Sequence, residues 1–126
     1  MDSNRVVTQS LFVMTLLAAS VLSAYAQLEI EVSHRARSIH PGEVVVLLVR
    51  ATGNPVDVVA TAFGKPVYFF QTPGDVWTGL VGIDLTVGAG THDLDVTATA
   101  DDGVVVQKIY PIVVESKEFP TRRLSV

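Results

Sequence analysis

The sequence predicts a small all-β domain, and three observations indicate it. Beyond residue 26, apolar residues are nowhere sustained at the 3.6-residue period of a helix. Valine, threonine and isoleucine, whose branched side chains suit a pleated sheet, dominate this part of the chain. Glycine and proline interrupt it at short intervals, and the runs between them have the length of strands. These patterns together predict a β-sandwich.

Residues 1–26 differ from the rest and are predicted to form a signal-peptide helix. A polar start carries one cation, Arg5, and an apolar stretch follows at 11–22. That stretch is shorter than the roughly 20 residues that a membrane-spanning helix needs. It closes on Ala-Tyr-Ala at 24–26, a pattern that signal peptidase accepts. We therefore expect cleavage after Ala26 and a secreted or periplasmic protein, with an uncleaved membrane anchor as the alternative.

The remaining chain has the size of one domain, predicted to span residues 27–116. It contains no cysteine, so that its core must be stable without disulfides. The net charge of −4 argues against a nucleic-acid partner, as do the few cations, which are scattered apart from Arg122-Arg123.

Seven strands are predicted, each bounded by glycine, proline or aspartate. They cover 28–33, 43–51, 56–63, 66–71, 76–85, 91–100 and 104–115. Seven short strands at this spacing are typical of an immunoglobulin-like β-sandwich.

The first five predicted strands are separated by turn signals. A loop with Pro41-Gly42 follows the first, and the second, 43–51, is apolar on both faces, which is typical of a central strand covered on both sides. Gly53-Asn54-Pro55, Gly64-Lys65-Pro66 and Pro73-Gly74 then bound the third and fourth strands and open the fifth.

The last two predicted strands form a hairpin. In 91–100, apolar and polar residues alternate strictly, which predicts one buried face and one solvated face. Asp102-Gly103 then indicates a tight turn, because glycine tolerates the positive φ that such turns require. Pro111 cannot donate a ladder hydrogen bond, so it marks an edge strand, a bulge or a crossing between sheets.

The three histidines show none of the spacings that bind zinc, neither H-x-H nor H-E-x-x-H. His34 and His40 lie on a predicted loop. The alternative for these two is that they meet a carboxylate in space and form a zinc site with it. His92 opens an inward face after a glycine corner, where sandwich domains often place a tyrosine that bonds back to the preceding loop. We expect a buried His92 with a backbone partner and no metal site.

No catalytic or cofactor-binding residue is predicted either. Asp93 and Asp95 are expected on a solvated face and Asp101-Asp102 in a turn, with calcium binding at that turn as a weaker alternative. The serines show no G-x-S-x-G elbow. Trp77 and the aromatic run 67–70 are expected in the core, and an exposed aromatic binding strip is the alternative.

The order of motifs carries a family resemblance. "HPGEVVVLLV", "VDVVATAFGKPVYFF", "VWTGLVGIDLTVGAGTHDLDVTA" and "FPTRRLSV" follow one another along the chain. Their most specific pieces are Gly82-Ile83-Asp84 before a glycine corner and Phe119-Pro120 with Leu124. In this order they resemble the immunoglobulin-like N-terminal domain of secreted lysostaphin-type (LytM-like) zinc metallopeptidases. His92 is a departure, because the family often has tyrosine there.

The resemblance implies a non-catalytic role for this chain. The peptidases bind zinc on an H-x-x-x-D and an H-x-H segment, and neither occurs here. The resemblance also implies that this chain is a fragment of a cell-wall metalloendopeptidase. Residues 117–126 would then begin the linker to a C-terminal peptidase domain. That domain and peptidoglycan are the expected partners, with zinc only in the catalytic domain and no stable membrane span. The alternative is a free-standing secreted immunoglobulin-like domain that binds protein or glycan at the bacterial envelope.

Overall fold

The computed structural model describes residues 26–125, which form an all-β domain. Seven strands follow in chain order: β1 (Glu29–Arg35), β2 (Val44–Thr52), β3 (Pro55–Ala62), β4 (Lys65–Thr72), β5 (Val76–Gly82), β6 (Gly90–Ala100) and β7 (Val105–Val114). Within the described range, no helix is long and apolar enough to cross a membrane. The signal-peptide prediction falls on residues 1–25 and Ala26, so it lies almost wholly outside the described residues.

The strands form one antiparallel sheet in the order β1-β2-β5-β4-β3-β6-β7. The fourth strand joins its two halves, because Lys65–Tyr68 pairs with β3 while Phe69–Thr72 pairs with β5. The prediction of an all-β domain with seven strands is confirmed. Instead of two separate sheets, however, the structure has one sheet that curls until it is nearly closed, like a barrel.

The two end strands, β1 and β7, face each other across an open seam. Side chains bridge this seam: Lys108 Nζ lies 3.5 Å from the Ile30 carbonyl, and His34 Nδ1 lies 2.7 Å from the Tyr110 hydroxyl oxygen. Pro111 lies in β7. Of the three settings predicted for this proline, the structure therefore selects the edge strand, where a missing N–H is tolerated.

The centre of the core is formed by β2 and β6, in which buried residues alternate with more exposed ones. In β2, Val45, Leu47 and Val49 have no exposed surface, and in β6 the same holds for Leu94 and Val96. The second strand is central in its half of the sheet, since β1 and β5 flank it, but it is not covered on both faces: Val44 is 55% exposed. That part of the prediction was wrong, because the sheet has only one inner face.

The turns explain where the strands stop. The hairpin between β3 and β4 has Phe63 and Gly64 at its centre with φ of 52° and 73°, the signs of a type I′ turn. The predicted turn at Asp102-Gly103 is present, and Gly103 adopts a φ of 85°. The fifth strand ends at Gly82 rather than 85 because the following residues form a turn.

Because neighbouring strands are antiparallel, β1, β3, β5 and β7 all end on the same side. Three loops, 36–43, 63–64 and 83–89, lie there together with the segment 115–125 that follows β7. We call this side the tail end of the domain.

Candidate functional site

The tail end concentrates the charged contacts of the domain. The four ion pairs found among the described residues all lie there: Arg37–Glu43 at 2.8 Å, Lys117–Glu43 at 3.8 Å, Lys65–Asp84 at 3.5 Å and His40–Glu115 at 3.7 Å. Two of these pairs reach into the segment 115–125. The charges therefore connect the loops with the chain that leaves the domain.

Glu43 is the centre of this arrangement. Its side chain is 16% exposed, and its Oε1 accepts a hydrogen bond from Arg37 and lies near Lys117 Nζ. The hydrogen bond from the Arg37 guanidinium is the main reason that the pKa of Glu43 lies below its ordinary value. The backbone carbonyl of Glu43 also accepts from the Ile83 amide at 2.9 Å. Glu43 thus links the loops 36–43 and 83–89 to Lys117.

Asp84, in the Gly82-Ile83-Asp84 motif, shapes the loop after β5. Its Oδ1 accepts hydrogen bonds from the amide and the hydroxyl of Thr86, each at 3.0 Å, and these bonds are the main cause of the lowered pKa of Asp84. Ile83 beside it is 2% exposed and anchors the loop in the core. The motif therefore pairs a buried anchor with a side chain that closes a turn.

The segment after β7 starts fixed and ends exposed. The Glu115 amide donates to the Ile39 carbonyl at 2.8 Å, and Lys117 Nζ lies 5.4 Å from the ring centre of Phe119. Beyond this point, Phe119 is 51% and Leu124 is 87% exposed. Two large apolar side chains thus project from the tail end into solvent.

His92 forms the corner that the sequence predicts. Its Nε2 lies 2.7 Å from the Gly88 carbonyl oxygen, and its ring packs edge-on against Phe63 at 5.2 Å between centres. The expected backbone partner in the preceding loop is confirmed, although the side chain is half-buried rather than buried. Contact with His92 also helps to hold Phe63 in its left-handed conformation, which a bulky residue rarely adopts.

The other two histidines have separate neighbours. His34 contacts Tyr110 across the seam, and the Nδ1 of His40 lies 3.2 Å from the Glu115 carbonyl oxygen. His40 also lies near a carboxylate, since its Nε2 is 3.7 Å from Glu115 Oε2, but His34 has a different neighbour. Across residues 26–125, no three histidine, aspartate or glutamate side chains come together as metal ligands.

The acidic side chains occupy the places predicted for them. Asp93 and Asp95 are exposed, and Asp95 accepts a hydrogen bond from Gln107 at 3.3 Å. Asp102 closes its turn by accepting from the Val104 amide at 3.0 Å. Asp101 and Asp102 line two different grooves, of about 450 and 310 Å³, so the two neighbouring carboxylates do not share one cavity.

The aromatic run 67–70 is divided between the two faces of β4. Val67 is buried and Phe69 half-buried, whereas Tyr68 is 78% and Phe70 is 56% exposed. Trp77 is buried, as predicted. Strand alternation explains the division, because neighbouring side chains point to opposite faces. The expected core position therefore holds for Val67 and Phe69 and is wrong for Tyr68 and Phe70.

Comparison with known proteins finds similarity to a solved structure of a peptidase. No family model matches the chain, and no curated protein matches it. The chain is similar to the crystal structure of a putative peptidase M23 from Pseudomonas aeruginosa, with 31% sequence identity and a TM-score of 0.47. The match covers 64% of this chain and 32% of that one. The chain thus matches about a third of the length of this putative peptidase.

Proposed function

We propose that this chain is the non-catalytic N-terminal accessory domain of a secreted cell-wall zinc metallopeptidase. In this role it positions or shields a catalytic module that follows it. The order of motifs along the chain supports this assignment. The similar Pseudomonas aeruginosa structure is likewise named as a peptidase. The full-length parent would be a metalloendopeptidase that acts on peptidoglycan.

The tail end is the observation that carries the proposal. The first residues after β7 are held by two contacts. The Glu115 amide donates a hydrogen bond to the Ile39 carbonyl, and Lys117 forms an ion pair with Glu43. Within a few residues the chain then exposes Phe119 and Leu124. Because exposing large apolar side chains is unfavourable, such residues on a fixed support favour packing against a further surface. A module that follows the domain in the same chain would meet this surface first.

We also propose that the fold is of the immunoglobulin-like class. In that class one sheet has the strand order A-B-E-D and the other C-F-G. The order β1-β2-β5-β4 followed by β3-β6-β7 has the same sequence of strands, with β4 in the place of D. The difference is that β4 also pairs with β3.

The zinc of such a parent does not fit the residues of this chain. A zinc site needs about four ligands that converge on a tetrahedron. His34, His40 and His92 instead contact Tyr110, Glu115 and the Gly88 carbonyl, each in its own place. We therefore assign zinc to the catalytic module and derive no chemical step in this domain.

A secreted or periplasmic location is part of the proposal. It rests on the sequence pattern of residues 1–26, and it requires that the exported protein begin at Gln27. Intact-protein mass spectrometry of exported material measures this directly. A mass that still includes residues 1–26 would contradict the proposed processing.

A second candidate is a free-standing domain that binds protein or glycan at the envelope. The exposure of Tyr68 and Phe70 favours it, because exposed aromatic rings supply contact area in many binding surfaces. The natural reading frame after codon 126 distinguishes the two candidates. A continuation that encodes both an H-x-x-x-D and an H-x-H segment supports the peptidase, and a stop codon directly after Val126 supports the free-standing domain.

Activity of the parent enzyme then tests the role of the domain. We expect that deleting residues 27–116 from the full-length enzyme changes its zinc-dependent release of soluble peptidoglycan fragments. The isolated chain 27–126 is the control and should release none. An unchanged rate after the deletion would contradict a positioning or shielding role.

A further inference from the structure

Two arginines of the domain differ from its other cations. Six lysines and arginines lie between residues 27 and 117. Four of them contact an acidic side chain or a carbonyl: Arg37 and Lys117 at Glu43, Lys65 at Asp84 and Lys108 at Ile30. Within the described part of the chain, Arg35 and Arg50 make no ion pair or side-chain hydrogen bond.

Arg35 and Arg50 line the same groove. It has a volume of about 450 Å³ and lies on the outer face of the sheet, across β1, β2 and β5. The volume is within the range of roughly 300–1,000 Å³ that is usual for ligand sites. Arg35 and Arg50, the two described cations of residues 27–117 without a partner, therefore lie on one concave surface.

The register of the strands sets the spacing of the two arginines. Arg35 lies opposite Val46, and Arg50 lies four residues further along β2. At a rise of about 3.3 Å per residue, the two positions are roughly 13 Å apart along the strand direction. Ser33, Leu48 and Thr78 lie side by side between them, so the middle of the groove is neutral and carries two hydroxyls.

This spacing fits an extended peptide with two acidic side chains. In an extended chain, residues i and i+4 point to the same face and are also roughly 13 Å apart. A carboxylate binds a guanidinium through two parallel hydrogen bonds, which favours arginine over lysine at such positions. Acidic residues at i and i+4 would therefore reach Arg50 and Arg35 together.

Glu31 is the opposing charge in the groove. It lies directly across from Arg50 in the register, but the two side chains form no ion pair within 4 Å. The groove thus holds two cations against one anion, in a protein whose net charge is −4. Glu31 should weaken the binding of an acidic ligand without preventing it.

We propose that this groove binds an extended acidic peptide segment, with carboxylates four residues apart at Arg35 and Arg50. The binding does not depend on the peptidase assignment. It gives the outer face of β1, β2 and β5 a ligand, separate from the tail end.

Fluorescence anisotropy with the mature chain tests this binding. The probe is a labelled, N-acetylated peptide Glu-Ser-Thr-Ser-Glu, and the matched peptide has glutamine in place of both glutamates. We expect binding of the first peptide only, weakened by added salt because the pairs are exposed. Arg35→Gln and Arg50→Gln should each lower the affinity about threefold, the order expected for exposed ion pairs.

Two further variants keep the test specific. Glu31→Gln should raise the affinity, because it removes the opposing charge. The double variant Arg122→Gln/Arg123→Gln changes two cations of the tail and should leave the affinity unchanged. The proposal would be overturned by absence of binding, by equal binding of the glutamine peptide, or by an affinity of the Arg35→Gln and Arg50→Gln variants as high as that of the unaltered protein.

Discussion

Glu43 shows how one side chain can connect a loop with the chain that leaves the domain. Its Oε1 accepts from Arg37 at 2.8 Å and lies 3.8 Å from Lys117 Nζ. The Arg37 side chain is 85% exposed, so solvent screens its charge, while the Glu43 side chain is 16% exposed. The ionised form of Glu43 is thus what holds Lys117 close to the loop 36–43.

We predict that acid loosens this contact. The pKa of Glu43 is lower in the folded protein than its ordinary value of 4.5, chiefly because of the hydrogen bond from Arg37. A carboxyl with a lowered folded pKa contributes stability above its unfolded pKa, and that contribution disappears as the pH falls through the folded pKa. The Glu115 amide, which donates to the Ile39 carbonyl two residues before Lys117, should therefore lose hydrogen-exchange protection below about pH 4.5.

The variant Glu43→Gln is the control for this prediction. It keeps the shape of the side chain but carries no charge at any pH. Asp84 also has a lowered pKa, so some acid sensitivity remains, and only the difference between the two proteins reports on Glu43. The same pH dependence in both proteins would contradict the assigned role.

His92 provides a second prediction for a single residue. Removing its ring in His92→Ala loses the hydrogen bond to Gly88 and the contact with Phe63. Each contact is worth about 1 kcal/mol, so the free energy of unfolding should fall by about 2 kcal/mol. His92→Phe keeps the ring contact and should lose about half as much. Urea denaturation measures both, and a His92→Phe variant as unstable as His92→Ala would show that the hydrogen bond dominates.

Among the elements, β5 contains a matched pair of glycines. An added Cβ at Gly79 would lie 2.9 Å from Phe69 Cε1 and 3.0 Å from Val67 Cγ1, whereas one at Gly82 would meet no atom within 4 Å. Neither glycine has a positive φ. Gly79→Ala should therefore destabilise the domain by about 1–3 kcal/mol through overpacking. Gly82→Ala should be neutral or slightly stabilising, because it restricts the unfolded chain.

Thermal or urea unfolding of the two glycine variants decides this point. Equal stability of both would mean that β4 does not pack closely over Gly79.

The register of β6 gives a prediction for neighbouring residues on opposite faces. Leu94 has no exposed surface, while Asp95 is exposed. Leu94→Asp should unfold the domain, because it buries an unpaired charge. Asp95→Leu should change the melting temperature little, since it loses only an exposed contact with Gln107. Circular dichroism on heating measures both, and equal destabilisation would show that the register is wrong.

Local pattern was sufficient to predict the strands. Alternation in 91–100 and glycine and proline at the turns placed six of the seven strands within about two residues at each end. The fifth strand was predicted three residues too long, because Ile83 continues the apolar pattern while Asp84 already closes a turn. The hydrogen bond from the Thr86 amide to Asp84 is local, so an aspartate two residues before a threonine is a sequence pattern that could have predicted this turn.

Contacts between distant residues were beyond such reasoning. His34 and Tyr110 lie 76 residues apart in sequence, and only the curling of the sheet brings them within 2.7 Å. The same holds for Glu43 with Lys117, and for Arg35 and Arg50, whose shared groove depends on the pairing of β1 with β2. The sharing of β4 between β3 and β5 likewise has no signature in its own residues.

At the scale of the whole molecule, two places could contact another module: the seam between β1 and β7, and the tail end. The seam between β1 and β7 is bridged by side chains, and Lys108 and Pro111 on β7 disfavour pairing with another strand. The tail end instead combines fixed charges with exposed apolar residues. Association of this domain with a further module is therefore expected at the tail end and not along the sheet edge.

Hydrogen exchange of the tail tests this central claim most directly. The measurement compares amides of residues 119–125 in the 126-residue chain and in a longer protein extended by the natural reading frame. We predict rapid exchange in the short chain, where Phe119 and Leu124 are exposed, and slow exchange in the longer protein, where they pack on the next module. Strong protection of these amides in the short chain would contradict the account, because it would show that the tail completes the domain by itself.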